Sequence, residues 1–295
     1  MTGAPAQRNI PPMNFGTFLL MQSPSARSSH EIYTRAVDMA QAAERLGFHN
    51  IWLAEHHFST YGYLSRPVQL ATYLAARTER IRVGTAVIVV PLHHPLVVAE
   101  EIATLAVLAG DRLDIGLGRG YQHYEFERFG LQLDEGRARF DESVDIIVKS
   151  FEGKPFTYDG KLFTKVVSEV KPKEQPRVGV QRAVYVAEND ADARDAAEHA
   201  RWNMRVTLSL RNHYERVENG NAIPVPANNE PDTDDLLDRY LVIGSPDTII
   251  RQIRRMQDSV GMTHFNCSFW IGDMEQARVL RSMERFSREV MPAFH

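Results

Sequence analysis

Residues 51–58 read Ile-Trp-Leu-Ala-Glu-His-His-Phe, an apolar run that ends in a carboxylate and two adjacent imidazoles. An imidazole titrates near neutral pH, so His56 or His57 can take up a proton, return it, or donate a hydrogen bond. The plainer reading is one satisfied buried histidine and one surface histidine. A second pair, His93-His94, stands before Pro95 and suggests, with His56, imidazole ligands for zinc or iron. Adjacent histidines on an extended strand point to opposite faces, and no His-x-His or spaced carboxylate completes a facial triad, so no metal is expected. Gly116-Leu117-Gly118-Arg119-Gly120 places a guanidinium between glycines. Glycines let a backbone approach a phosphate and arginine grips it in two places, so the segment favours an anion over a simple tight turn. It lacks the spacing of the dinucleotide fingerprint. Thr85-Ala86-Val87 offers small residues against which a flat ligand could lie, or it is an ordinary core strand. There is no Gly-x-Ser-x-Gly elbow, and the single cysteine, Cys267, has no base beside it in sequence.

These residues fall where strands end. Strands are expected at 13–21, 50–54, 80–90, 112–118, 178–187 and 263–270. Helices are expected at 29–46, 67–78, 95–108, 137–152, 190–199, 246–260 and 274–290. Helical periodicity marks Ile32, Ala36, Met39, Ala40 and Ala43, while the β-branched run to Val90 reads as a strand buried on both faces. Strand and helix alternating at this spacing predict a parallel sheet. Chemistry in barrels of such units sits at the C-terminal strand ends, where Glu55, His56 and Arg119 lie. Tyr158-Asp159-Gly160-Lys161 signals a hairpin within 156–170. Ser245-Pro246 begins a helix. Residues 219–236 read as a surface loop and residues 1–12 as a flexible N-terminus, giving a single domain over 1–295.

Composition narrows the function. Hydrophobic residues make up 43% of 295, enough for a large core, and the formal net charge is -4 with both signs dispersed. No basic block appears, so nucleic acid is not an expected partner. One cysteine fits a reducing, cytoplasmic setting, and no apolar run has membrane-spanning length.

Several segments together give the chain a family likeness. They are 15–20 (Phe-Gly-Thr-Phe-Leu-Leu), 52–58, 83–87 running on to His94-Pro95, 118–121 with 125–130, Gly244-Ser245-Pro246-Asp247, and Met291-Pro292. The chain resembles the bacterial luciferase-like, flavin-dependent monooxygenases. The resemblance implies a TIM-barrel-like (βα)8 fold with FMN at the C-terminal strand ends. It implies reduced FMN from a separate flavin reductase, O2, a C4a-peroxyflavin, and a small aldehyde- or ketone-like substrate. His56 matches the active-site histidine, Arg119 the arginine that holds the FMN phosphate, and Ala86-Val87 a non-prolyl cis peptide beneath the isoalloxazine. Glu55, Gly118, Gly120 and Tyr121 complete the expected cofactor site. Gly118 stands where luminous relatives carry a reactive thiol, so light emission is not expected. A homodimer through the helices after the second and third strands is implied as well.

The chain departs from that family between Val170 and Val178. Only residues 171–177 stand where members have roughly fifty more, enough for two strands and a helix of the barrel. Six barrel strands and a hairpin are therefore expected, in an incomplete or remodelled barrel lacking the strand 5/6 region. That loss keeps a non-catalytic flavin-binding protein open as an alternative, beside a deazaflavin (F420)-dependent oxidoreductase and a metal hydrolase using His56, His93 and His94.

Overall fold

The computed structural model describes residues 13–152, 156, 158, 160, 179–212, 214 and 216–294. The chain begins β1 (Asn14–Leu19), α1 (Ser29–Arg45), β2 (Asn50–Leu53), α2 (Pro67–Arg77), β3 (Arg82–Val89), α3 (Pro95–Ala109), β4 (Leu113–Gly118), α4 (His123–Arg128) and α5 (Gly136–Ser150). It continues β5 (Gly179–Val186), α6 (Asp190–Arg211), β6 (Arg216–Glu218), β7 (Asn221–Ile223), the single turn α7 (Thr233–Asp235), β8 (Val242–Gly244), α8 (Pro246–Val260), β9 (His264–Ser268) and α9 (Gln276–Arg285). The predicted N-terminal segment 1–12, the 171–177 link and most of the 156–170 hairpin lie outside the described residues.

Local chemistry sets the boundaries. Ser28 and Glu31 cap α1 reciprocally, each side chain bonding the other's backbone N–H, so two of the orphan donors at the helix start are satisfied. Ser245 accepts from Thr248 N, Pro246 opens α8, and Gly261 ends it in the left-handed conformation. Ile32, Ala36, Met39, Ala40 and Ala43 are buried, so the predicted apolar stripe of α1 is the one that packs on the sheet.

Seven strands form one parallel sheet in the order β4-β3-β2-β1-β9-β5-β8. The first and last strands of the chain lie side by side, as barrel closure requires, but β4 and β8 remain edges among the described residues. The fold is α/β and TIM-barrel-like, with the sheet not closed. Every residue of β4 is partly exposed, as befits an edge strand.

The sheet departs from expectation in one element. Six strands were expected, and β8 is the seventh. Its Val-Ile-Gly is too short for any periodicity to register. Strand β5 lies between β9 and β8 and divides its length between them. The upper part of β5 pairs with β8, while Gly179–Ala183 reaches β9 directly. Helix α6 runs to Arg211, well past residue 199. Its second half is held from outside the helix: Arg205 forks onto Glu230, and Arg201 donates to the Pro231 carbonyl. The expected loop 219–236 opens inside a hairpin, where Asn219 and Gly220 both have positive φ, the two-residue turn that matches strand twist.

Candidate functional site

Strands β2, β3 and β4 deliver the candidate residues to their C-terminal ends. Register places Leu53 opposite Thr85 and Val89 opposite Gly118, so Glu55–His57, Ala86–Val87 and Arg119–Tyr121 follow from adjacent strands. The register slips between Thr85 and Ile88, and the Ala86–Val87 peptide inside that slip is cis. Thr85 bridges the irregularity, donating from Oγ1 to the Gly116 carbonyl at 3.0 Å and accepting from Gly116 N at 3.1 Å. Ala86 and Val87 are partly exposed in a strand otherwise largely buried, leaving a small apolar floor.

The glycines of the β4 end have a packing reason. A Cβ on Gly118 would stand 2.2 Å from Val87 Cγ2, and one on Gly116 would stand 2.4 Å from the Thr85 carbonyl oxygen. Gly120 has φ +76°, which L side chains rarely adopt. We expect Gly118→Ala to displace Val87 and cost about 1–3 kcal/mol, read as a lower denaturation midpoint. A change below a few tenths would mean that the floor yields freely. Arg119, by contrast, is exposed and has no hydrogen bond or ion pair with any described residue. Among the described residues it is a guanidinium without a counter-ion, beside a turn that a bulkier chain would fill.

His56 and His57 point apart, as residues of an extended segment must. The His56 ring meets Tyr61 edge-on at 4.7 Å between centroids, and the Tyr61 hydroxyl lies 3.3 Å from that of Tyr121. Burial pushes the Tyr61 phenol well above its usual pKa, so it serves as a neutral donor or acceptor. Nδ1 of His56 has two neighbours, Glu125 Oε1 at 3.3 Å and Gln122 Nε2 at 3.0 Å. They ask for opposite things: a carboxylate needs an N–H, while an amide N–H2 needs a lone pair. Glu125 is buried and already accepts from His57 N at 2.7 Å, so the charge-assisted bond prevails and the proton sits on Nδ1. Gln122 Oε1 is buried with no partner, and a half-turn of the amide brings it onto that proton. His56 then carries its free lone pair on Nε2.

His57 belongs to a different network. Glu55 Oε1 accepts from His57 Nε2 at 2.8 Å and from His93 Nε2 at 2.6 Å, while Oε2 accepts from Val89 N at 2.9 Å. Burial by itself raises the Glu55 pKa; the two histidine bonds, the His93 imidazole and the Val89 N–H outweigh it and hold the group at about 2. Glu55, expected in the cofactor site, sits behind the histidines with both oxygens engaged.

Among the described residues, Glu55, His57 and His93 are the group close enough to hold a metal, and not the expected His56, His93 and His94. Their donor set does not fit one. Arg66 Nη1 donates to His93 Nδ1 at 2.9 Å, which leaves the His93 proton on Nε2, facing Glu55. The contacts of 2.6 and 2.8 Å are hydrogen bonds. Two ligands at about 2.1 Å from zinc stand roughly 3.4 Å apart in a tetrahedron.

Sequence reasoning missed Glu125 and Gln122 as partners of His56. Glu125 lay inside a segment of the family likeness but carried no signal of its role, because a contact across 69 positions has no local pattern.

A family model described as luciferase-like monooxygenase matches residues 13–176 and 168–263. The uncharacterized protein y4vJ of Sinorhizobium fredii is 26% identical over 341 positions, covering 95% of this chain and 97% of the relative. That alignment is longer than the 295-residue chain, so the relative has residues this chain lacks. The oxygenase component of flavin-dependent trigonelline monooxygenase from Acinetobacter baylyi is 30% identical over 200 positions, 66% of this chain. The chain spans only 54% of that relative's length. Among solved structures, the FMN complex of the oxygenating constituent of 3,6-diketocamphane monooxygenase from Pseudomonas putida superposes with a TM-score of 0.76 at 17% identity, covering 96% of this chain and 99% of that one.

Proposed function

Because the chain belongs to the luciferase-like monooxygenase family, we propose that it is the oxygenase of a flavin-dependent monooxygenase acting on a small aldehyde- or ketone-like molecule. The observation that carries the reading is the meeting at three adjacent strands of His56, the Ala86–Val87 floor and Arg119, which has no counter-ion among the described residues. That set suits FMN: an apolar floor takes a flat ring and Arg119 takes a phosphate. Reduced FMN would supply the oxygen-activating chemistry with O2, and a separate flavin reductase would supply the reduced FMN.

The chain's own residues then have defined work. Arg119 anchors the phosphate through charge-assisted bonds. Ala86 and Val87 set the height of the ring, and Gly118 keeps Val87 in place. Glu125 holds the His56 proton on Nδ1, so Nε2 accepts a proton from the reacting group and returns it. Tyr61 and Tyr121 close one side of His56 and keep water from it. We expect Arg119→Met to weaken FMN binding about 10- to 100-fold, measured by quenching of FMN fluorescence. An unchanged dissociation constant would remove Arg119 from the site.

The proposal includes a homodimer. Helix α3 leaves Leu96, Val97, Val107 and Leu108 exposed, and Tyr73 of α2 lies exposed as well. Large apolar side chains exposed at both ends of one helix favour an association surface there. Val107→Asp should shift the protein to monomer in light scattering coupled to gel filtration; a wild-type chain that is already monomeric would overturn this part.

A further inference from the structure

The cavity that ends on His56 carries positive charge and no carboxylate. It encloses about 640 Å³, with His56 and His57 on one side, Phe58, Tyr63 and Phe129 as walls, and Arg66 at the rim. No aspartate or glutamate lines it among the described residues, although the chain as a whole is formally -4. Phe58 and Phe129 stand 5.3 Å apart between centroids, both exposed, and Phe58 has a positive φ of 62°. Arg128 lies 5.6 Å over the Phe58 ring and has no ion pair with a described residue.

Arg66 is the better placed cation. It has no ion pair with any described residue, and among them its guanidinium makes one hydrogen bond, to His93 Nδ1. His93 is itself fixed by Glu55, which is fixed by His57 and Val89 N. An ordinary surface arginine samples many rotamers, and ordering it costs entropy on binding. Here a buried relay fixes one edge of the guanidinium at the cavity rim and leaves its Nε and Nη2 without a partner among the described residues. A guanidinium so held matches a carboxylate fork.

We propose that the molecule oxidised at this site is an organic anion: a flat apolar body between Phe58, Phe129 and Tyr63, with a carboxylate or similar group on Arg66. This assigns Glu55 and His93 to substrate recognition, one step removed, through the position of Arg66. It rests on the reading of His56 as the reacting-site base.

The test compares 4-formylbenzoate with 4-formylbenzamide, which share a ring and an aldehyde and differ in charge, by calorimetry on the full chain with and without FMN. The expected result is about tenfold or greater preference for the anion, loss of that preference in Arg66→Met, partial retention in Arg66→Lys, and unchanged FMN affinity in both variants. Equal affinity for the two probes, a preference that survives Arg66→Met, or no binding of either at roughly millimolar concentration overturns it. Failure of FMN to bind overturns the flavin reading instead, while a charge preference measured without flavin stands independently of it.

Discussion

Replacing His56 with alanine should lower single-turnover product formation by about 10²- to 10⁴-fold, the usual contribution of a positioned acid–base group. The protein is mixed with photoreduced FMN, an aldehyde and air, and product per flavin is measured. FMN affinity should change little, because the proposed site gives the phosphate to Arg119 and the reacting region to His56. Glu125→Gln offers a finer readout. An amide in place of the carboxylate no longer requires a proton on Nδ1, so the Nε2 base is lost in part while the ring remains packed on Tyr61. Its effect should fall on turnover and on the pH profile, and less on FMN binding. If His56→Ala turns over within tenfold of the parent, the histidine is not the base and the non-catalytic flavin-binding reading gains.

The largest stability effect is expected at Glu55. The residue is 2% exposed, and its carboxylate accepts three hydrogen bonds, two from imidazoles. Glu55→Gln keeps the volume but turns an N–H2 toward donors and removes the charge that balances them. Breaking one member of such a buried network costs about 3–5 kcal/mol, readable as a shift in the urea midpoint. The pH dependence has a fixed sign. The carboxyl titrates at about 2 when folded against an ordinary 4.5, so its contribution is complete above pH 4.5 and disappears as the pH falls toward 2. The gap corresponds to a few kcal/mol, on the order of 3. The parent should therefore lose stability more steeply than Glu55→Gln over that window; parallel curves would show that Glu55 is not the group responsible.

Much of this was legible one-dimensionally. The period of α1 identified its buried face, because a helix repeats its contacts every three or four residues. The β-branched run of β3 and the Ser245-Pro246 cap were equally plain, since propensity and capping act between neighbours in sequence. His56 and Arg119 could be named from their places at strand ends and from the family likeness. Short β8 could not, since three residues hold no period, and its pairing with half of β5 depends on what else in the sheet is present.

The sequence by itself determined which groups reach the strand ends: a parallel register sends every βα turn to the same side of the sheet, whatever the turn contains. Only the tertiary structure decided what each group does there. It separated His56 from His57, gave the first to Glu125 and the second to Glu55, and left Arg119 and Arg66 without counter-ions among the described residues. Hydrogen bonds and charge balance act across space, between residues dozens of positions apart, and the chain carries no local record of which partner will arrive.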